Sequence, residues 1–159
     1  RDGAPVGLFD SCNAALLALA EAGATNGEVK EIRASDVNLD DCVVRLPGNA
    51  RVDERINELT EWGAIVLRER LGHISDDDFV VVNVYGAKAS EASVSQMFRH
   101  IASYGNVGRR GFNINSVRAW RARSIYMENG RIQDAALFLG NRSLDAAVAL
   151  MGVEWRQTI

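Results

Sequence analysis

The stretch from residue 115 to 152, "NSVRAWRARSIYMENGRIQDAALFLGNRSLDAAVALMG", sets Arg118, Arg121, Arg123, Arg131 and Arg142 around two tight glycine turns. A guanidinium is a planar fork of N–H donors that matches phosphate oxygens two at a time, so such a row is suited to holding an anion. Making or breaking a bond to that anion also takes a nucleophile and a group that transfers a proton near neutral pH. The stretch has no histidine, and no tyrosine follows Tyr126 anywhere in the chain. Upstream, Arg109 and Arg110 lie in the glycine-flanked loop "GNVGRRGFN", which can come close to a backbone, and Arg51 follows the turn "PGNA". His73 and His100 have no partners at metal-ligand spacing, Asp76, Asp77 and Asp78 read as a solvated loop, and Trp62, Trp120 and Trp155 read as buried. Neither a metal nor a cofactor is expected.

Charge is divided along the chain. The net value of -3 hides a first half, residues 1–79, with 8 Lys+Arg against 16 Asp+Glu, and a second half with 10 against 5. Nine of those ten later cations are arginine. An acidic half joined to an arginine-biased half suggests one anion-facing surface, with solvated helix faces as the plain alternative. A hydrophobic content of 47% with 25% charged residues over 159 positions fits one globular domain. No apolar run approaches the roughly 18 residues of a membrane span. Two cysteines, Cys12 and Cys42, are too few for a disulfide framework and point to a reducing, cytoplasmic setting. The opening "RDGAP" reads as a domain boundary, with the whole of 1–159 one domain of a longer chain.

The elements that must position the arginines follow from periodicity and caps. Leu8, Cys12, Ala15, Leu16, Leu19 and Ala22 predict a helix over 7–22, and Asn26 reads as the cap of a second helix over 27–33. Runs at 42–46 and 52–56 about Pro47-Gly48-Asn49 predict a hairpin. Thr60 caps a helix to Leu71 with Trp62, Ile65, Val66 and Leu67 as its apolar face, and "DDFVVVN" reads as a short strand or extended run. A helix from Ser90 carries Val94, Met97, Phe98 and Ile101 on one face, and three more helices follow within 115–152. The fold class predicted is mostly α with a small antiparallel β-sheet, α+β.

That order resembles the catalytic domain of the tyrosine recombinases, the phage integrase family. "GATNGEVKEIRASDVNLDDCVVRLPG" resembles the segment where a glycine-led turn opens a helix and leads through "SD" into a hairpin. "INSVRAWRARSIYMENGRIQDAALFLGNRSLDAAVALMG" resembles the late block of a His-x-x-Arg helix, a mid-segment "NG", and an "LGH" turn followed nine residues on by a tyrosine. In that family the tyrosine attacks a DNA phosphodiester while two arginines, a lysine and histidine-like groups clamp oxygens and move protons. Position by position, the first arginine is Thr25 here, Asn49 or Arg51 stands at the lysine, and the His-x-x-Arg pair is Asn115 and Arg118. The "LGH" histidine is Asn141 and the tyrosine is Leu150. Only Arg118 is retained, and Thr25, Asn115, Asn141 and Leu150 cannot supply the missing chemistry.

The resemblance implies a domain that binds double-stranded DNA, weakly in isolation, and cuts neither strand. Arg51, Arg109, Arg110, Arg118, Arg121 and Arg142 are the DNA-binding candidates. The alternative is a non-catalytic protein-interaction or assembly module, self-associating through its last helix and the tail "VEWRQTI".

Overall fold

The computed structural model describes residues 6–105 and 111–153, leaving aside the side chains of residues 6–10. The order is α1 (Val6–Glu21), α2 (Asn26–Val29), a 3-10 turn (Ala34–Asp36), β1 (Val37–Asn38), β2 (Val43–Leu46), β3 (Arg55–Glu58), α3 (Glu61–Leu71), α4 (Glu91–Tyr104), α5 (Ile114–Asn129), α6 (Ile132–Leu139) and α7 (Leu144–Met151). This is the mostly helical α+β class predicted, with one small antiparallel sheet. No helix among the described residues is long and apolar enough to cross a membrane.

Helix α1 is the axis of the larger core. From Ser11 to Ala20 none of its residues is exposed, because α3, α4 and α5 all pack against it. Ala15, Ala18 and Ala20 let those helices approach closely, and full burial of Leu16 and of Leu19 contributes about 1.5–3 kcal/mol each. The buried surface of α1 therefore extends beyond the apolar positions that predicted the helix. A second, separate core joins the last three helices through Ala122, Ile132, Ala135, Ala136, Phe138, Leu139, Ala147 and Met151.

Three local expectations are corrected. Helix α2 is one turn rather than 27–33, and its cap is Thr25, not Asn26. Thr25 and Glu28 form a reciprocal capping box, and beyond Val29 the backbone turns to bond another segment: Val80 N donates to Ile32 O and Ala34 N to Asp78 O. The second hairpin strand is 55–58, not 52–56. Its register pairs Val44 with Asn57 and Leu46 with Arg55, so two polar residues share the inner face with buried valine and leucine while Ile56 faces solvent. On α3 the predicted apolar face is rotated: Gly63, Ala64, Leu67 and Arg70 are buried, whereas Trp62 and Ile65 are 46% and 56% exposed. Arg70 reaches its buried place by donating from Nε to the Val80 carbonyl at 2.8 Å. Trp120 is also exposed rather than buried, and Trp155 lies outside the described residues.

The run "DDFVVVN" forms isolated bridges, Arg33 with Phe79 and Val82 with Lys88, instead of a strand. Helix α4 starts from Ser90 as predicted and buries Val94, Met97 and Phe98, with Ile101 half-buried. Helices α5, α6 and α7 fill the 115–152 stretch and turn at left-handed Gly130 and Gly140. At Gly140 the backbone is doubly constrained: φ is +73°, and a Cβ there would lie 2.7 Å from an Arg55 nitrogen.

Candidate functional site

The two cores meet at a polar seam. Helix α1 ends near the carbonyls of Ala22 and Gly23, and α6 ends with those of Phe138 and Leu139. Carbonyls at a helix C-terminus lack partners within the helix and carry the negative end of its dipole, so cationic donors suit them. Asn57 donates from Nδ2 to Ala22 O at 2.8 Å and to Phe138 O at 2.9 Å. Arg55 donates from Nε to Phe138 O and from Nη2 to Gly23 O, both at 2.8 Å. Arg118 donates from Nε to the same Gly23 O at 2.8 Å and from Nη2 to Leu139 O at 3.0 Å.

Behind this seam lies the fully buried Glu28 carboxylate. It accepts from Arg55 Nη1 at 2.7 Å and Nη2 at 3.2 Å, from Gly48 N at 3.0 Å and from Thr25 N at 3.0 Å. A buried carboxylate is tolerated when it is paired and hydrogen-bonded in this way. Arg118 is 4% exposed, and burial pushes its guanidinium down from the ordinary arginine value to about 10; the nearby Arg55 charge adds to the shift and Glu28 opposes it. It remains charged at neutral pH.

On the outer side of the seam opens a cleft of about 580 Å³. Thr25, Asn49, Arg51, Asn115, Arg118, Asn141 and Leu150 all line it, although they come from α2's cap, the hairpin loop, α5, the α6–α7 turn and α7. The structure thus gathers at one place every position singled out from the late block and the glycine-led turn. Their present roles differ from those the resemblance implies. Thr25 Oγ1 caps α2 by accepting from Glu28 N at 3.2 Å, and Asn49 Nδ2 donates to it at 3.3 Å. Asn115 Oδ1 accepts from Arg118 Nη1 at 2.8 Å, so the residue standing at the histidine position orients the arginine. Leu150 packs against the second core and presents hydrocarbon to the cleft. Among the described residues, the lining contains no Tyr, Ser, Cys, His or Lys.

Arg118 was expected at a phosphate, in solvent or paired with an acidic residue of the first half. It is instead mostly turned to protein oxygens, three of its five N–H groups being placed on them. Arg51 is exposed at the cleft. Arg142 is exposed and pairs with Asp53 at 2.9 Å. Arg121, on α5, is half-buried and does not line the cleft. Arg109 and Arg110 lie outside the described residues.

Sequence reasoning missed Glu28, Arg55 and Asn57. The Thr25-x-x-Glu28 spacing of a capping box was a legible signal for the first. Nothing local marks Arg55 and Asn57, whose role exists only because β3 faces two helix ends. It also missed Asn26, Gly27 and Glu91, which line the cleft between α2 and α4.

No family model matches the chain, and no curated protein sequence does. Solved structures do match. The crystal structure of XerA recombinase superposes with a TM-score of 0.76 at 18% identity, covering 92% of this chain and 57% of that one. XerH site-specific recombinase, in a post-cleavage complex with palindromic difH substrate, gives 0.72 at 16% identity over 96% of this chain and 44% of its own. The Tn1549 transposon integrase in complex with transposon right end DNA gives 0.71 at 10% identity, over 92% and 55%. The chain thus spans about half the length of these proteins. At such identities the likeness establishes the fold, and the protein has the tyrosine recombinase catalytic-domain-like fold.

Proposed function

We propose that this domain holds duplex DNA by its phosphates without cutting it, as the DNA-engaging unit of an integrase-like protein. One observation carries the reading: Thr25, Asn115, Arg118, Asn141 and Leu150, which the resemblance sets at the clamping, protonating and attacking positions, line a single cleft. An arginine and several amides hydrogen-bond an anion, but none of these side chains is a tyrosine or transfers a proton near neutral pH, and the Thr25 hydroxyl is engaged in capping α2. The structural neighbours solved in complex with DNA lend support. Free Cys12 and Cys42 fit a protein working inside the cell.

Two measurements test it. Incubated with a nicked suicide substrate, the chain forms no adduct that survives a denaturing gel; a covalent band overturns the non-cleaving reading. In anisotropy titrations the duplex binds with little sequence preference, and affinity falls as salt rises through counterion release. Replacing Arg109 and Arg110 together with alanine lowers the slope of log K against log salt by about 2. Absence of binding at low ionic strength ends the DNA reading. An assembly role then gains ground, for which exposed Trp120, Met127 and Leu137 on the last helices are the observation.

A further inference from the structure

The cleft contains one carboxylate that the resemblance did not bring to it. Glu91 is the first residue of α4, and Gly27 is the second residue of α2 across the cleft. A Cβ built on Gly27 would meet Glu91 Oε1 at 2.9 Å, closer than a real Cβ contact, so the absence of a side chain at 27 is what admits the carboxylate. Lys30, one turn along from Gly27, lies 3.9 Å from the same oxygen and 3.8 Å from Glu31 Oε1, shared between the two carboxylates. The Glu91 side chain is 64% exposed, so it meets whatever enters. The charged side chains lining the cleft are Arg51, Arg118 and Glu91. Glu91 therefore cancels half of the positive charge there.

The geometry points to Glu91 as the residue that sets how strongly the cleft attracts an anion: its carboxylate, seated against Gly27, repels a phosphate. This deepens the DNA reading and rests on it for the identity of the natural anion. A carboxylate at the first turn of α4 also favours that helix's own N-terminus, which is the plain structural role for Glu91. The two roles predict different things. Loss of a purely structural carboxylate lowers the melting temperature a little and leaves ligand affinity alone. Loss of an anion-repelling one tightens binding in a protein that is no more stable.

The test compares Glu91→Gln with Gly27→Ala and with Glu69→Gln, the last removing one exposed acidic charge on α3 away from the cleft. Glu91→Gln removes the charge. Gly27→Ala keeps the charge but displaces the flexible end of the side chain, and alanine is well tolerated within a helix. Two probes are used on the full chain: a duplex of about 30 base pairs by anisotropy, and inorganic pyrophosphate followed by the side-chain amide signals of Asn115 and Asn141 in NMR. Glu91→Gln is expected to tighten both about fivefold at low salt, with the gain shrinking as ionic strength shortens the screening length to about 8 Å. Gly27→Ala moves affinity in the same direction by about twofold, and Glu69→Gln leaves pyrophosphate binding unchanged. If Glu91→Gln and Glu69→Gln tighten pyrophosphate binding equally, or Glu91→Gln has no effect on it, the inference is overturned. If pyrophosphate binding responds as described while no variant binds the duplex, Glu91 keeps its role and the DNA reading fails.

Discussion

Along the seam between the two cores, Arg55, Asn57 and Arg118 donate to four helix-end carbonyls, with the Arg55 side chain 8% and the Arg118 residue 4% exposed. Along the outer edge, Arg51 is exposed at the cleft, and Arg142 meets Asp53 with side chains 61% and 59% exposed. Residue type is shared; surroundings are not. In the buried seam each hydrogen bond acts in a low dielectric, and removing one partner leaves the other both desolvated and unpaired. In the open, water and salt screen the pair, and its contribution to stability is typically about 0–1 kcal/mol. Seam arginines therefore hold the fold together, while the outer ones are free to respond to a ligand.

The sharpest way to break this comparison is Arg55→Met. It leaves the Glu28 carboxylate buried with only Gly48 N and Thr25 N as donors, and a broken buried pair costs about 3–5 kcal/mol. Urea denaturation should show that loss, and adding Glu28→Gln to Arg55→Met should recover part of it. A loss below about 1 kcal/mol in the single variant would mean that the seam does not tie the cores.

Arg118→Met comes next. Gly23 O keeps Arg55 as a donor, so Leu139 O is the carbonyl left without Arg118, for an expected loss of about 1–3 kcal/mol. Faster amide exchange in α6 should accompany it. The sign of any pH effect is set by the depressed pKa of about 10. Because the folded value lies below the unfolded one, holding the charge opposes folding at every pH below it, and relief comes only as pH rises through about 10 toward the unfolded value. The difference between Arg118→Met and the parent should therefore be flat from about pH 6 to about pH 9. A slope within that range would show that another titrating group couples to the seam.

The smallest stability effect belongs to Arg142→Ala, within about 0.5 kcal/mol of the parent. Its readout is duplex binding instead, with the salt slope lowered by about 0.9 if Arg142 exchanges Asp53 for a phosphate. A stability loss as large as that of Arg118→Met would erase the distinction between seam and edge.

Much of the fold was legible because its signals are local. Caps at Thr60 and Ser90, glycine stops at Gly130 and Gly140, and the spacing of Val94, Met97 and Phe98 each act within one or two turns of chain. Thr25, Asn115, Arg118, Asn141 and Leu150 were singled out through resemblance, and no rule of composition or period brings those positions to the one cleft they line.

Errors arose where a partner distant in sequence overrode a local preference. The run to Ile56 was expected to form a strand from residue 52, yet the strand begins at Arg55 and its inner face holds Arg55 and Asn57, which donate to the carbonyls of Ala22, Gly23 and Phe138. Arg70, which no local signal marked, is buried because Val80 O supplies an acceptor inside the core. Residue type and local spacing were enough for most of the helices, for the division of charge and for the lack of a tyrosine after Tyr126, because each of these acts within a few residues of chain. Tertiary structure alone decided that Arg55 and Arg118 are sealed between helix ends while Arg51 stands exposed at the cleft, because the strength of a charge depends on the dielectric and donors that distant parts of the chain place around it.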